Sequence, residues 1–142
     1  MNKSLIFGGA MSTVAAFLHI AIIIGGPDWY RFFGASPNMV LLAGQESFIP
    51  TVRTFGIFIV LFIWGLYAFS GAGLLIRLPL LKVALVIISI IYIVRGLLLF
   101  PIWIIKPEFI NHLIIWSSIV CLIVGCAYAI GTRQVWIDIS KK

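Results

Sequence analysis

The chain reads as an all-α polytopic membrane protein, a four-transmembrane-helix antiparallel bundle in a single domain over residues 1–142. Three observations predict it. Four apolar stretches, Leu5 to Gly26, Val52 to Leu75, Leu80 to Pro101 and Phe109 to Gly131, each exceed the roughly 18–20 residues that cross a ~30 Å hydrocarbon core. Hydrophobic residues make up 63% of the chain and charged ones 10%, far from the balance of a soluble domain. The stretches are continuous rather than alternating, which fits helices that satisfy their own backbone amides in lipid and not barrel strands.

The first stretch is about twice the length of a signal-peptide core, and no small-x-small cleavage pattern follows it, so it is read as a retained span. The connection after it, residues 27–51, is long for neighbouring helices. Trp29, Tyr30, Phe32 and Phe33 surround Arg31 there, a composition suited to the headgroup level. Ser36-Pro37 then reads as N-cap and first helical residue of a short interfacial helix through Met39 to Leu42, lying as a cap over the outer end of the bundle. Between the second and third spans, Arg77-Leu-Pro79 predicts a tight antiparallel hairpin with Pro79 in the first helical turn. Pro101 and Pro107 bracket the last connection, Ile102 to Lys106, whose Trp103 belongs at the interface.

The net charge of +6 comes from basic residues set singly at span ends, so it marks topology and gives no nucleic-acid patch. Lys3, Arg77, Lys82, Arg133, Lys141 and Lys142 share one side, which the positive-inside rule makes cytoplasmic for both termini. Cys121 and Cys126 are five residues apart, about 140° around a helix axis. They form no Cys-x-x-Cys motif and are expected to be buried, inert thiols.

Polar residues inside the spans gather toward the outer end. On the first span Gly8, Gly9, Ser12, Ala15, Ala16 and His19 share one sector, a small-residue packing face that turns His19 into the bundle. On the second, Arg53, Gly56, Val60, Trp64, Tyr67 and Gly71 form a stripe. The third gathers Ser89, Tyr92, Arg95 and Gly96, and the fourth gathers Asn111, Ser118 and Gly125 with Cys121 and Tyr128 nearby and His112 to one side. An arginine near the membrane centre costs at least ~2.5–3.5 kcal/mol, so a paired or solvated site is expected. His19, Arg53, Trp64, Tyr92, Arg95, Asn111 and His112 are the candidate ligand-binding residues, with Asp28, Trp29, Tyr30, Arg31 and Glu46 in the capping loop.

Two histidines at unequal depth suit bis-imidazole haem poorly, and no His-x-x-x-His spacing marks a metal. No Gly-x-Ser-x-Gly and no identifiable acid–base pair signal catalysis, and no Asp or Glu lies at mid-span for proton-driven transport. Apolar walls with cationic groups at the rim fit an amphipathic ligand, a quinone or a lipid, held by a protein that serves a redox partner. The alternative is a small subunit or assembly factor, with its small-residue faces packing against a second copy or another membrane protein. The residues name no cofactor.

The segment Gly25-Gly-Pro-Asp-Trp-Tyr-Arg-Phe-Phe-Gly34, following His19, resembles a signature of small bacterial four-helix membrane proteins. With the Gly-rich, Arg-bearing turn Gly71-Ala-Gly-Leu-Leu-Ile-Arg77, it is loosely similar to DoxX-like proteins, although the first loop here is longer than in their pattern. The resemblance implies a four-helix bundle in a bacterial inner membrane, linked in some members to quinone-dependent redox systems. It supplies no catalytic residue.

Overall fold

The computed structural model describes residues 1–140, so the topology charges Lys141 and Lys142 lie outside the described residues. The helices are α1 (Lys3–Phe32), α2 (Pro37–Gly44), α3 (Phe48–Gly71), α4 (Leu81–Leu97), α5 (Leu99–Ile105), α6 (His112–Gln134) and α7 (Trp136–Ser140). Four stretches, α1, α3, α4 continued by α5, and α6, are long and apolar enough to cross a membrane. The protein is a multi-pass, all-α integral membrane protein built as a four-helix bundle. Large apolar side chains such as Phe7, Val14, Phe17, Ile63 and Ile123 stay on its outside, as expected where lipid is the solvent.

Asn2 N–H donates to the Ala72 carbonyl (3.3 Å), Asn2 Nδ2 to Gln134 Oε1 (2.7 Å), and the Arg77 guanidinium to the Ile139 carbonyl. These contacts bring the N-terminus, the α3–α4 connection and α7 together at one end of the bundle, here the termini end. The opposite, loop end carries α2, α5 and the start of α6.

The closest helix pairs are α1 with α3 and α4 with α6. Glycine makes both possible. A Cβ on Gly65 would stand 3.2 Å from the Gly9 carbonyl oxygen, and one on Gly125 would stand 2.9 Å from the Ile93 backbone nitrogen. The expected tight hairpin of the second and third spans is not the tightest pair, because α3 and α4 touch far less. Their connection is also longer than Arg77-Leu-Pro79. α3 stops at Gly71 because Gly73 takes a left-handed φ of 80°, letting Gly73 N–H reach the Ser70 carbonyl (3.1 Å) and Leu74 N–H that of Phe69 (2.9 Å). Ser70 Oγ then donates to the Ile76 carbonyl (2.8 Å) and accepts from Leu78 N–H (3.0 Å), fixing the chain as it turns back.

A hydrogen-bonded chain threads all four spans at the bundle centre. Tyr128 OH donates to the Trp64 carbonyl (2.9 Å), Ser12 Oγ lies 2.9 Å from Tyr128 OH, and Tyr92 OH lies 2.8 Å from Ser12 Oγ. Each hydroxyl has one proton and a carbonyl has none. The three bonds are therefore satisfied together in one direction only, Tyr92 to Ser12 to Tyr128 to Trp64. The Trp64 ring meets Tyr92 edge-on at 5.0 Å between centroids, and Tyr92 lies 5.7 Å from Tyr128. Toward the termini end, Leu5, Ala68, Leu81 and Leu85 fill the core beneath this layer.

The loop end differs from expectation in three places. α1 breaks at Gly26 (φ 67°, ψ −153°), a conformation that favours glycine, and Pro27 restarts a helical segment through Phe32, so the aromatic cluster is helical rather than looped. Ser36 caps α2 with Pro37 first, as the spacing predicts, and accepts from Met39 N–H at 3.4 Å. α2 packs principally on α1 and α3 and so caps one half of the bundle, not the whole end. Pro101 lies inside α5, in its first turn where a missing N–H costs nothing, so the connection read from Ile102 to Lys106 is helical as far as Ile105. α7 was not signalled by the sequence.

Replacing Gly125 by Leu forces α4 and α6 apart and lowers the melting temperature in detergent, an overpacking cost of about 1–3 kcal/mol. Gly56→Leu, whose added Cβ meets no atom within 4 Å, leaves it unchanged. Tyr128→Phe strips the Trp64 carbonyl and Ser12 of a partner and destabilises by roughly 0.6–1.7 kcal/mol in a denaturant titration.

Candidate functional site

Trp64 and Tyr92 mark the level at which α3 and α4 touch. Arg53, Gly56 and Val60 lie eleven, eight and four residues before Trp64, so helical periodicity puts them on the same face of α3 one above the other toward the loop end. None is covered: Val60 is 45% exposed, Arg53 is exposed, and Gly56 faces open space. On α4, Arg95 follows Tyr92 by one turn, and it too is exposed although its face points inward at Tyr92. Above the Trp64–Tyr92 contact these residues of α3 and Arg95 of α4 thus stay open to the surroundings.

The polar residues toward the loop end take distinct positions. Arg95 Nη1 reaches Ser118 Oγ at 3.4 Å, a long bond to a fully buried serine on α6. His19, two turns beyond Ser12 on the same face of α1, is half-buried and bonds only locally, Nδ1 to the Ala15 carbonyl (2.7 Å). At the rim, Arg53 Nη1 lies 3.7 Å from the Met39 sulfur on α2. Asn111 is the N-cap of α6, accepting from Ile114 N–H at 2.9 Å, and His112 is the exposed first residue of that helix. These two cap and flank the helix rather than pointing along the Ser118–Gly125 packing face.

Among the cap residues, Tyr30 is buried and donates to Thr54 Oγ1 (3.0 Å), so it anchors the helical segment after Gly26 to α3. Asp28 and Arg31 form an exposed ion pair at 3.1 Å, of a kind that contributes little stability. Trp29 folds over Gly25, where any Cβ would collide with the indole. Glu46 is exposed on the connection between α2 and α3 with φ 57°. A cavity of about 590 Å³ lies between this segment and α2, with Arg31 on its wall. The loop residues thus build a cap on the α1–α3 half.

The packing face of α3 is offset by about one residue from the sequence stripe: Thr54, Gly65, Ala68 and Ala72 are buried, whereas Gly56 and Val60 are not. The small-residue series Gly65, Ala68, Ala72 signals that face, but the aromatic weight of Trp64 and Tyr67 draws the reading aside. Cys126 corrects another expectation, being exposed on the apolar surface while Cys121 is half-buried. It follows Gly125 by one residue, which turns it about 100° off the α4 contact. Thr54, Ser70 and Thr132 are buried polar residues that the sequence faces did not single out.

Comparison of the chain with protein-family models, with curated proteins and with solved structures found no match.

Proposed function

We propose that the protein binds an amphipathic membrane molecule, a lipid or a quinone, on the open face of α3 toward Arg95 of α4. The observation that carries this reading is the uncovered α3 face above Trp64, together with an exposed Arg95 one turn beyond Tyr92 on α4. The apolar body of the ligand lies against Gly56, Val60 and Trp64, and its anionic or carbonyl oxygen accepts from Arg95. His19, half-buried on α1 two turns beyond Ser12, supplies a further hydrogen-bonding group. Lys3, Arg77, Lys82 and Arg133 at the termini end support a cytoplasmic orientation of that end in a bacterial inner membrane, with the proposed site in the outer leaflet. Quinone is the ligand that the DoxX-like resemblance implies.

Native mass spectrometry of protein released gently from its own membranes tests the reading. The wild type retains a lipid or quinone mass. Gly56→Leu, whose side chain occupies the proposed site while its Cβ meets no atom within 4 Å, lowers its occupancy, and Arg95→Gln, which removes the charged donor, lowers it about tenfold, the factor a lost charge-assisted hydrogen bond gives. A bare wild-type protomer, or a mass indifferent to both changes, overturns the proposal. Retention of a second protein chain alone transfers the support to the subunit reading.

A further inference from the structure

At the termini end, on the outside of the α4–α6 pair, a groove of about 430 Å³ runs between Val86, Ile90 and Ile93 of α4 and Ala129 of α6 and ends at Thr132, Arg133 and Trp136. Its walls are apolar and its head is cationic. Arg133 is exposed there, and Lys82 Nζ lies 3.9 Å from the centroid of the Trp136 ring. No carboxylate lines it.

The hydroxyls supply a second, independent observation. Thr13, Ser89 and Ser117 each donate back to a carbonyl of their own helix, Gly9 (2.9 Å), Leu85 (2.7 Å) and Ile114 (3.0 Å), the usual way to satisfy a hydroxyl inside a span. Thr132 departs from this. It is 4% exposed, and its Oγ1 is buried without a hydrogen-bond partner among the described residues. A buried hydroxyl left unpaired is unfavourable, more so away from water. Here it lines an apolar groove together with Arg133 and with Trp136, whose ring Lys82 covers, at the level where an interfacial tryptophan sits.

We propose that this groove is a binding site for an anionic phospholipid of the leaflet on the termini side. One acyl chain lies along Val86, Ile90, Ile93 and Ala129. The phosphate meets Arg133 and Lys82, and a rotation of the Thr132 side chain about its Cα–Cβ bond brings the buried hydroxyl out to donate to a headgroup oxygen. The charge of the site selects the anionic over the zwitterionic lipid, whose own cation would meet Arg133.

Competition between phosphatidylglycerol and phosphatidylcholine for the purified full-length protein, read by native mass spectrometry, tests this. The wild type prefers phosphatidylglycerol. Arg133→Gln and Lys82→Gln each reduce that preference about fivefold, the factor expected per basic residue at a membrane surface, whereas Lys3→Gln on α1 does not. Ala129→Phe fills the groove without altering charge and removes the preference. Thr132→Val is at least as stable as wild type in phosphatidylcholine and gains less melting temperature from phosphatidylglycerol. Equal uptake of the two lipids by the wild type overturns the proposal. So does a preference that survives Ala129→Phe, or a Thr132→Val protein that responds to phosphatidylglycerol as the wild type does.

Discussion

The three hydroxyl bonds from Tyr92 through Ser12 and Tyr128 to the Trp64 carbonyl are the constraint on which the bundle depends. Lipid gives helices little apolar reason to associate, since acyl chains are as greasy as leucine. Position must come from close backbone approach and from polar groups that have nowhere else to bond. Glycines meet the first need within each pair, α1 with α3 and α4 with α6. The hydroxyl chain meets the second across the pairs, because it draws one atom from each span. Its one-way order fixes more than a distance. Removing either inner hydroxyl, Ser12 or Tyr128, leaves the neighbour on one side without a donor and the neighbour on the other without an acceptor, and removing that of Tyr92 leaves Ser12 without a donor.

The asymmetry between the two ends follows from where that chain sits. Toward the termini, Leu5, Leu81 and Leu85 close the centre, and α7 and the Ser70-fixed connection bind the ends together. Toward the loops, the α1–α3 half is stiffened by Tyr30, Thr54 and α2, and the α4–α6 half carries Arg95 against Ser118. Above Trp64, Arg53, Gly56, Val60 and Arg95 stay accessible.

Much of this was legible in the sequence because it rests on period and length. The spans, the Ser36-Pro37 cap, the break at Gly26 and the packing faces of α1, α4 and α6 all follow from local chemistry. What the sequence hid depends on crossing geometry. Ser12, Tyr92 and Tyr128 can be placed on faces, but which hydroxyl meets which is set by how far apart the helices lie. The α3 face was misread by about one residue because bulky aromatics suggest a core in water, while membrane helices turn small residues such as Gly65 and Ala68 to their neighbours. Asn111 shows a related limit, since the same residue type serves equally as a ligand contact or an N-cap. Thr132 has no signature at all: a lone threonine near a helix end becomes notable only when its oxygen is seen to lack a partner.

A ligand on the uncovered face of α3, a helix long and apolar enough to span the membrane, would lie against hydrocarbon rather than water. An amphipathic molecule lying there has left one oily surrounding for another, so the transfer of its tail contributes almost nothing to the free energy of binding. Under the proposed reading, discrimination would fall instead on the polar end and on shape, with Arg95 exchanging a headgroup neighbour for a fixed one. Occupancy is then governed by mole fraction within the bilayer, and a bulk aqueous concentration is the wrong scale for it.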